Sequence, residues 1–262
     1  MSQPRLSIVI PAYNESARIE NTLARVMHCV YARNWDAEVM VVNDGSSDDT
    51  AAIVERWMLD HPRLRLIQNP GNKGKGFSVR NGLLQAAGEI VMFTDADLSS
   101  PIEEAELLIA AIDKGADVAI GSRWLDPAKQ TTHQPLYRRF FGRCFNAVTR
   151  LAMGLPFKDT QCGFKAFRWP AAQVIFRLQR IERWGFDPEI LFIARKLKMK
   201  VVEVPVSWGH DERSRISYLK DGMKMLEEIL EIRKNYLLGR YDEAIAKKSV
   251  PARETFTGKV RS

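Results

Sequence analysis

Short apolar runs that end in polar residues alternate along this chain with stretches of helical spacing, and that alternation constrains the fold more than any other feature. Residues 6–10, Leu-Ser-Ile-Val-Ile, form one such run and stop at Pro11. Ile19, Leu23, Val26, Met27 and Val30 then recur at helical spacing behind Ser16, which is expected to cap the helix. Residues 38–42, 64–68, 90–94 and 117–121 repeat the apolar theme, with helical stretches such as 102–114 between them. The pattern predicts an α/β fold, a doubly wound and mostly parallel sheet with helices on both faces. Ligands of such sheets bind beyond the carboxyl ends of the strands, where Tyr13, Asp44 and Asp95 fall.

The pattern changes after residue 121. Residues 137–153 read as a basic amphipathic helix, 160–167 as extended and 187–198 as helical. Residues 201–206 read as a β-branched strand that Pro205 assigns to an edge or a bulge. Residues 216–238 carry an apolar stripe of Leu219, Met223, Leu226, Leu230 and Leu237. The expected organisation is a main domain over 1–215, a C-terminal amphipathic helix over 216–243 and a disordered polar tail over 244–262.

Charge narrows the class of partner. Lys and Arg number 39 against 32 Asp and Glu, a net +7 that suits nucleic acid, an anionic membrane or phosphorylated substrates. Six basic residues and one acid lie between Arg123 and Arg150, with Phe140, Phe141 and Phe145 among them. That stretch is either a solvated helix face or a surface that meets phosphate beside something apolar. Cys29, Cys144 and Cys162 lack metal-ligand spacing and are expected to be free thiols in a reducing compartment. With no signal-like leader and no run of 18 apolar residues, the protein is expected to be cytoplasmic and peripheral at the inner membrane face.

Several motifs carry chemistry. Asp95-Ala96-Asp97 follows four residues that need burial, and two carboxylates at a strand end can present oxygens to a hard divalent cation such as Mg²⁺ or Mn²⁺. Such a cation neutralises the charge of a departing diphosphate. A helix N-cap before Pro101 is the alternative. Pro11-Ala12-Tyr13-Asn14-Glu15 could place a ring on a base or sugar, or serve only as a strand-to-helix turn. Asp44, in Asn-Asp-Gly, has the same ambiguity. Gly71-Asn72-Lys73-Gly74-Lys75-Gly76 fails the phosphate-loop template, because Gly76 stands where a hydroxyl is required. A basic turn closing beside a nucleotide remains.

Read together, SIVIPAYNE, VVNDGSSDDT, NKGKG, FTDADLSSP, GSRW, DTQCGFKAF and EVPVSW resemble the inverting family 2 glycosyltransferases of GT-A fold. Within them the likeness is to the dolichyl-phosphate glucosyltransferase and mannose synthase branch, over about residues 5–216. The resemblance implies that Pro11, Ala12, Tyr13, Glu15 and Asp44 hold the nucleotide, with Lys75 nearby. It implies that Asp95 and Asp97 serve the metal and diphosphate, and that Arg123 and Arg138 grip an acceptor phosphate. Asp187 is the implied general base, with Asp159 second, although an N-cap before Pro188 is the alternative. Ser214 and Arg215 match a mobile loop that closes over the diphosphate; a solvated loop is the alternative. His210 has no partner at ligand spacing and is assigned no metal. The mannose synthases continue their acidic motif with a Gln that helps hold the metal. Ser99 stands there in this chain, which favours the glucosyltransferase side.

The resemblance therefore implies transfer of a hexose, glucose from UDP-glucose, to a polyprenyl or dolichyl phosphate at the cytoplasmic membrane face. A GDP-mannose donor, or a soluble or polysaccharide hydroxyl acceptor, would use the same fold. A nucleotidyltransferase would want a Gly-rich basic loop after the first strand, which Pro11-Ala12-Tyr13-Asn14-Glu15 is not. Nucleic acid is not an expected partner, because acidic strand ends face the wrong way for a phosphate backbone. Attachment to the membrane could rest on segment 137–153, on segment 216–238 or on a membrane-embedded partner protein.

Overall fold

The computed structural model describes residues 3–129, 136–209 and 218–242, and at 127, 136–141, 144 and 218–221 the backbone alone. Seven strands form one sheet: β1 (Leu6–Ala12), β2 (Ala37–Asn43), β3 (Leu64–Gln68), β4 (Ile90–Thr94), β5 (Val118–Ser122), β6 (Phe164–Arg168) and β7 (Val201–Pro205). Their order is β3-β2-β1-β4-β6-β5-β7. Every pairing is parallel except those of β6, which runs antiparallel to both β4 and β5. The strand carrying Pro205 lies at the edge, as its missing N–H requires.

Alternation along β1 divides the core in two. Leu6, Ile8 and Ile10 face one apolar cluster, shared with α1 (Ile19–Ala32), α2 (Thr50–Asp60) and α4 (Ala105–Asp113). Val9 faces the other, with α3 (Lys75–Gln85), α6 (Trp169–Leu178) and α7 (Phe186–Lys196). Helices thus cover both faces of the sheet, as the alternation predicts. The approach of α3 is close: a Cβ on Gly82 would overlap Val9 Cγ1 and lie 2.9 Å from Val42 Cγ2. Two further helices, α5 (Leu136–Met153) and α8 (Tyr218–Leu237), pack against each other and against α7.

Local signals were less reliable than the pattern. Helix α1 starts at Ile19 behind Arg18, and Ser16 does not cap it. The Ser16 N–H instead donates to Asp48 Oδ2 at 3.0 Å, tying the turn after β1 to the turn after β2. On α8, Ile229 and Ile232 are buried, whereas Met223, Leu226, Leu230 and Leu237 of the anticipated stripe are exposed. No described helix is long and apolar enough to cross a membrane. The tail at 244–262 lies outside the described residues.

Candidate active site at the carboxyl ends of the strands

Strands β1 and β4 are neighbours, and the chain leaves them toward different parts of the sheet. Doubly wound sheets bind ligands beyond the carboxyl ends of the strands at such a switch point. Residues following β1, β2 and β4 reach it: Tyr13, Asp44 and Asp95.

Asp95 and Asp97 stand at the end of β4, with Ala96 buried between them. Neither supplies a helix cap, since the next helical turn begins after Pro101 without a side-chain cap. Asp97 Oδ1 accepts the Ser99 N–H at 2.9 Å. Burial and the adjacent Asp95 charge push the Asp97 carboxyl above the usual carboxylate range. Two carboxylates so placed call for a cation. Among the described residues no group of three His, Cys, Asp or Glu side chains is disposed around a metal position. A pair suffices for Mg²⁺, which takes one or two carboxylates and completes its shell with substrate phosphates and water.

Lys75 supplies positive charge. It is the first residue of α3, and its Nζ lies 2.5 Å from Asp95 Oδ1. Burial disfavours its charge, but Asp95 and Asp187 together raise the Lys75 pKa. Asp44 sets the approach of this lysine: buried, it accepts the Lys73 N–H on Oδ1 at 3.0 Å and the Gly74 N–H on Oδ2 at 2.7 Å. Asn69 Nδ2 donates to Asp44 Oδ1 at 2.8 Å and to the Ser78 hydroxyl at 2.9 Å. The acid that follows β2 thereby holds the loop leading into α3.

Around β1, Tyr13 is exposed and Asn14 adopts a left-handed φ of 54°. Its strain is offset by two hydrogen bonds, from Asn14 N–H to the Ser46 hydroxyl and from Ser47 N–H to Asn14 Oδ1. Glu15 pairs with Arg18 at 2.6 Å. Burial would raise the Asp48 carboxyl, but hydrogen bonds from Thr50 and Ser16 hold it down at about 2. Pro11 and Ala12 are the last two residues of β1, Pro11 partly exposed and Ala12 buried in the core.

Asp187 is not an N-cap. Helix α7 starts after Gly185, and the Asp187 carboxylate is buried against the fully buried Lys165, whose Nζ donates to Asp187 Oδ1 and, at 2.6 Å, to Cys162 O. Burial still raises the Asp187 carboxyl despite the opposing Lys165 and Lys75 charges. Asp159 is wholly buried and fully engaged. It accepts Arg123 Nε on Oδ2 at 2.7 Å and Arg123 Nη2 on Oδ1 at 2.9 Å. A carboxylate fixed in this way orients the Arg123 guanidinium. Arg123 also lies 5.7 Å from the Trp124 ring and 5.6 Å from Trp208. Arg138 belongs to α5, but its side chain lies outside the described residues, as do Ser214, Arg215 and His210.

Glu203, Gly163, Trp184 and Lys165 were given no role by the motif reading. Glu203 on β7 accepts the N–H groups of Lys158 and Asp159 at 2.8 and 2.9 Å, which sets the turn that orients Arg123. Gly163 lies against Asp95 so closely that a Cβ there would overlap the carboxylate. Trp184 lies 5.6 Å from Lys75 Nζ. The lysine in Phe164-Lys165-Ala166-Phe167, alone in an apolar strand, was the one signal available for Lys165.

The sequence model described as Glycosyl transferase family 2 matches residues 7–176, more than half of the chain. A Trichomonas vaginalis protein, dolichyl-phosphate beta-glucosyltransferase ALG5C, is 39% identical over 245 residues, covering 88% of this chain and 71% of that protein. The Saccharomyces cerevisiae dolichyl-phosphate beta-glucosyltransferase is 35% identical over 259 residues, covering 90% and 76%. Glucosyl-3-phosphoglycerate synthase from Mycobacterium tuberculosis, crystallised with Mn²⁺, UDP and glucosyl-3-phosphoglycerate, superposes with a TM-score of 0.62 at 19% identity, over 91% of this chain and 80% of that one. The Pyrobaculum calidifontis mannosyltransferase PcManGT, in complex with GDP-Man and Mn²⁺, gives 0.56 at 20% identity over 97% and 77%. These two share the GT-A architecture of this sheet. On the strength of the sequence matches, the chain belongs to glycosyl transferase family 2.

Proposed function

We propose that this protein transfers glucose from UDP-glucose to dolichyl phosphate or another polyprenyl phosphate at the cytoplasmic face of a membrane, with inversion at the anomeric carbon. The observation that carries this reading is the company of the acidic pair: Asp95 and Asp97 face Lys75, while Asp187, the candidate base, is buried on Lys165. Sequence likeness to proteins named dolichyl-phosphate beta-glucosyltransferase supports the acceptor and the sugar.

Pro11, Ala12, Tyr13 and Glu15 would line the nucleotide, and Asp44 would hold the loop beside it. Asp95 and Asp97 fit a divalent cation, since burial and mutual repulsion leave the pair short of positive charge. Bound there, Mg²⁺ or Mn²⁺ would neutralise charge on the departing diphosphate. Lys75 would add a second positive charge to the same leaving group. Arg123, oriented by Asp159, and Arg138 would hold the acceptor phosphate for in-line attack. A phosphate is already ionised at neutral pH, so the attack needs no base. That agrees with an Asp187 committed to Lys165. Ser214 and Arg215 would close over the diphosphate.

The test offers radiolabelled UDP-glucose and GDP-mannose with polyprenyl phosphate and Mg²⁺. Label from UDP-glucose should enter the organic phase, and transfer from neither donor would sink the proposal. Flotation with vesicles containing anionic lipid tests the membrane placement.

A further inference from the structure

The ion pair of Lys75 with Asp95 occupies an oxygen that a divalent cation would need. Asp95 Oδ1 is 2.5 Å from Lys75 Nζ. Mg²⁺ binds carboxylate oxygens at about 2.0–2.1 Å, so a dication bound to Asp95 would stand within a few ångströms of the ammonium and repel it strongly. Either the carboxylate or the ammonium gives way, and the surroundings decide which.

Asp95 cannot move far. Its short side chain stands just past the end of β4 against Gly163, where a Cβ would overlap Oδ2 and lie 2.5 Å from Cγ and 2.7 Å from Oδ1. Lys75 can. Its ammonium ends a four-carbon stem with rotatable bonds, and it is a compact charge without the fixed fork that would lock an arginine in place. Its backbone, by contrast, is held. The adjoining Gly74 has φ 108° and donates to Asp44, and the first turn of α3 donates from Gly76 and Phe77 to the carbonyls of Arg183 and Glu182. Motion is therefore confined to the side chain. Trp184 covers that side chain with its ring 5.6 Å from Nζ.

We propose that Lys75 is the resident counter-ion of Asp95, giving up that carboxylate when a divalent cation binds and turning its ammonium to the donor diphosphate. The proposal rests on the glycosyltransferase reading of this site and deepens it. The lysine offsets the Asp95 charge without a cation, and its release supplies a second charge only once the cation is in place.

The experiment uses the full chain without donor or acceptor. Mg²⁺ titration should change tryptophan emission, and the change should vanish in Trp184→Phe. Mn²⁺ titration followed by electron paramagnetic resonance should show about tenfold tighter binding in Lys75→Met than in the unaltered chain, because the competitor is gone. UDP binding in the presence of Mg²⁺ should weaken in the same variant. Equal or weaker Mn²⁺ binding by Lys75→Met overturns the proposal. So does Mn²⁺ binding by the unaltered chain with Trp184 emission unmoved by Mg²⁺, since simple repulsion would leave the indole silent; that readout does not depend on the variant folding. If Mn²⁺ fails to bind with or without UDP, the metal-dependent reading of the site falls as well.

Discussion

Asp159 grips Arg123 through both of its carboxylate oxygens, at 2.7 and 2.9 Å, and no part of the acid reaches solvent. The arginine is thereby aimed. Coulomb attraction from Arg123 and its hydrogen bonds outweigh burial and hold the Asp159 carboxyl below its ordinary range. Asp159→Asn removes the Asp159 charge from the partly buried Arg123 guanidinium, and the expected loss of stability is about 3 kcal/mol. Urea unfolding measures it. A loss below about 1 kcal/mol would mean that the pair is not held as described.

Gly163 makes a different kind of prediction, because its substitution removes no charge. Gly163→Ala should push the Asp95 carboxylate off its position while the fold remains. Transfer activity should fall about 100-fold, with the unfolding midpoint shifted little, since active-site displacements of about 1 Å have costs of this order. Unchanged kcat in a folded variant would show that Asp95 tolerates the shift.

The two acids Asp187 and Asp97 should separate an ionised acceptor from a hydroxyl. With a phosphate acceptor, Asp97→Asn should reduce transfer by about 100-fold or more, and Asp187→Asn by about tenfold or less. Steady-state rates of both variants, normalised to folded protein, decide the matter. Equal and near-total losses would point to a hydroxyl acceptor that needs Asp187 as base.

Glu189 should make stability depend on pH. Burial pushes its carboxyl from the ordinary 4.5 up to about 7, against hydrogen bonds from Ile181, Tyr241 and Arg180. Between those two values the folded chain keeps a proton that the unfolded chain has lost. The contribution of Glu189 is therefore fully present below pH 4.5, declines as pH rises to about 7 and is lost above it. Over the window the loss is on the order of 3 kcal/mol. Unfolding midpoints from pH 4.5 to 8 should slope less steeply in Glu189→Gln than in the unaltered chain. Parallel slopes would exclude Glu189 as the source.

The parallel sheet, both layers of helices and the strand ends that carry Tyr13, Asp44 and Asp95 were legible in the chain, because burial imposes a period that survives in sequence. The edge position of β7 was legible through Pro205 for the same kind of reason. Partnerships were not. Ser16 reads as a cap by residue type, yet Asp48 from a different turn claims its N–H. Asp187 reads as a base or a cap and Asp159 as the second candidate base, and only Lys165 and Arg123, brought from other elements, show that each is paired. Helix α8 shows its stripe plainly, but the neighbours that would bury one side of it are fixed by the path of the whole chain.

The acidic pair at the end of β4 shows where that division falls. The sequence alone determined that two carboxylates stand where a buried strand runs out, since a backbone forced into the core must emerge beside its next polar residues. Tertiary structure alone decided that Lys75, 20 positions earlier, lies on one of them, that Gly163 lies against that one with no room for a Cβ between, and that Asp97 is left to carry a raised pKa. Hydrophobic burial is written into the order of residues, whereas a distance between side chains far apart in the chain exists only once the sheet has closed.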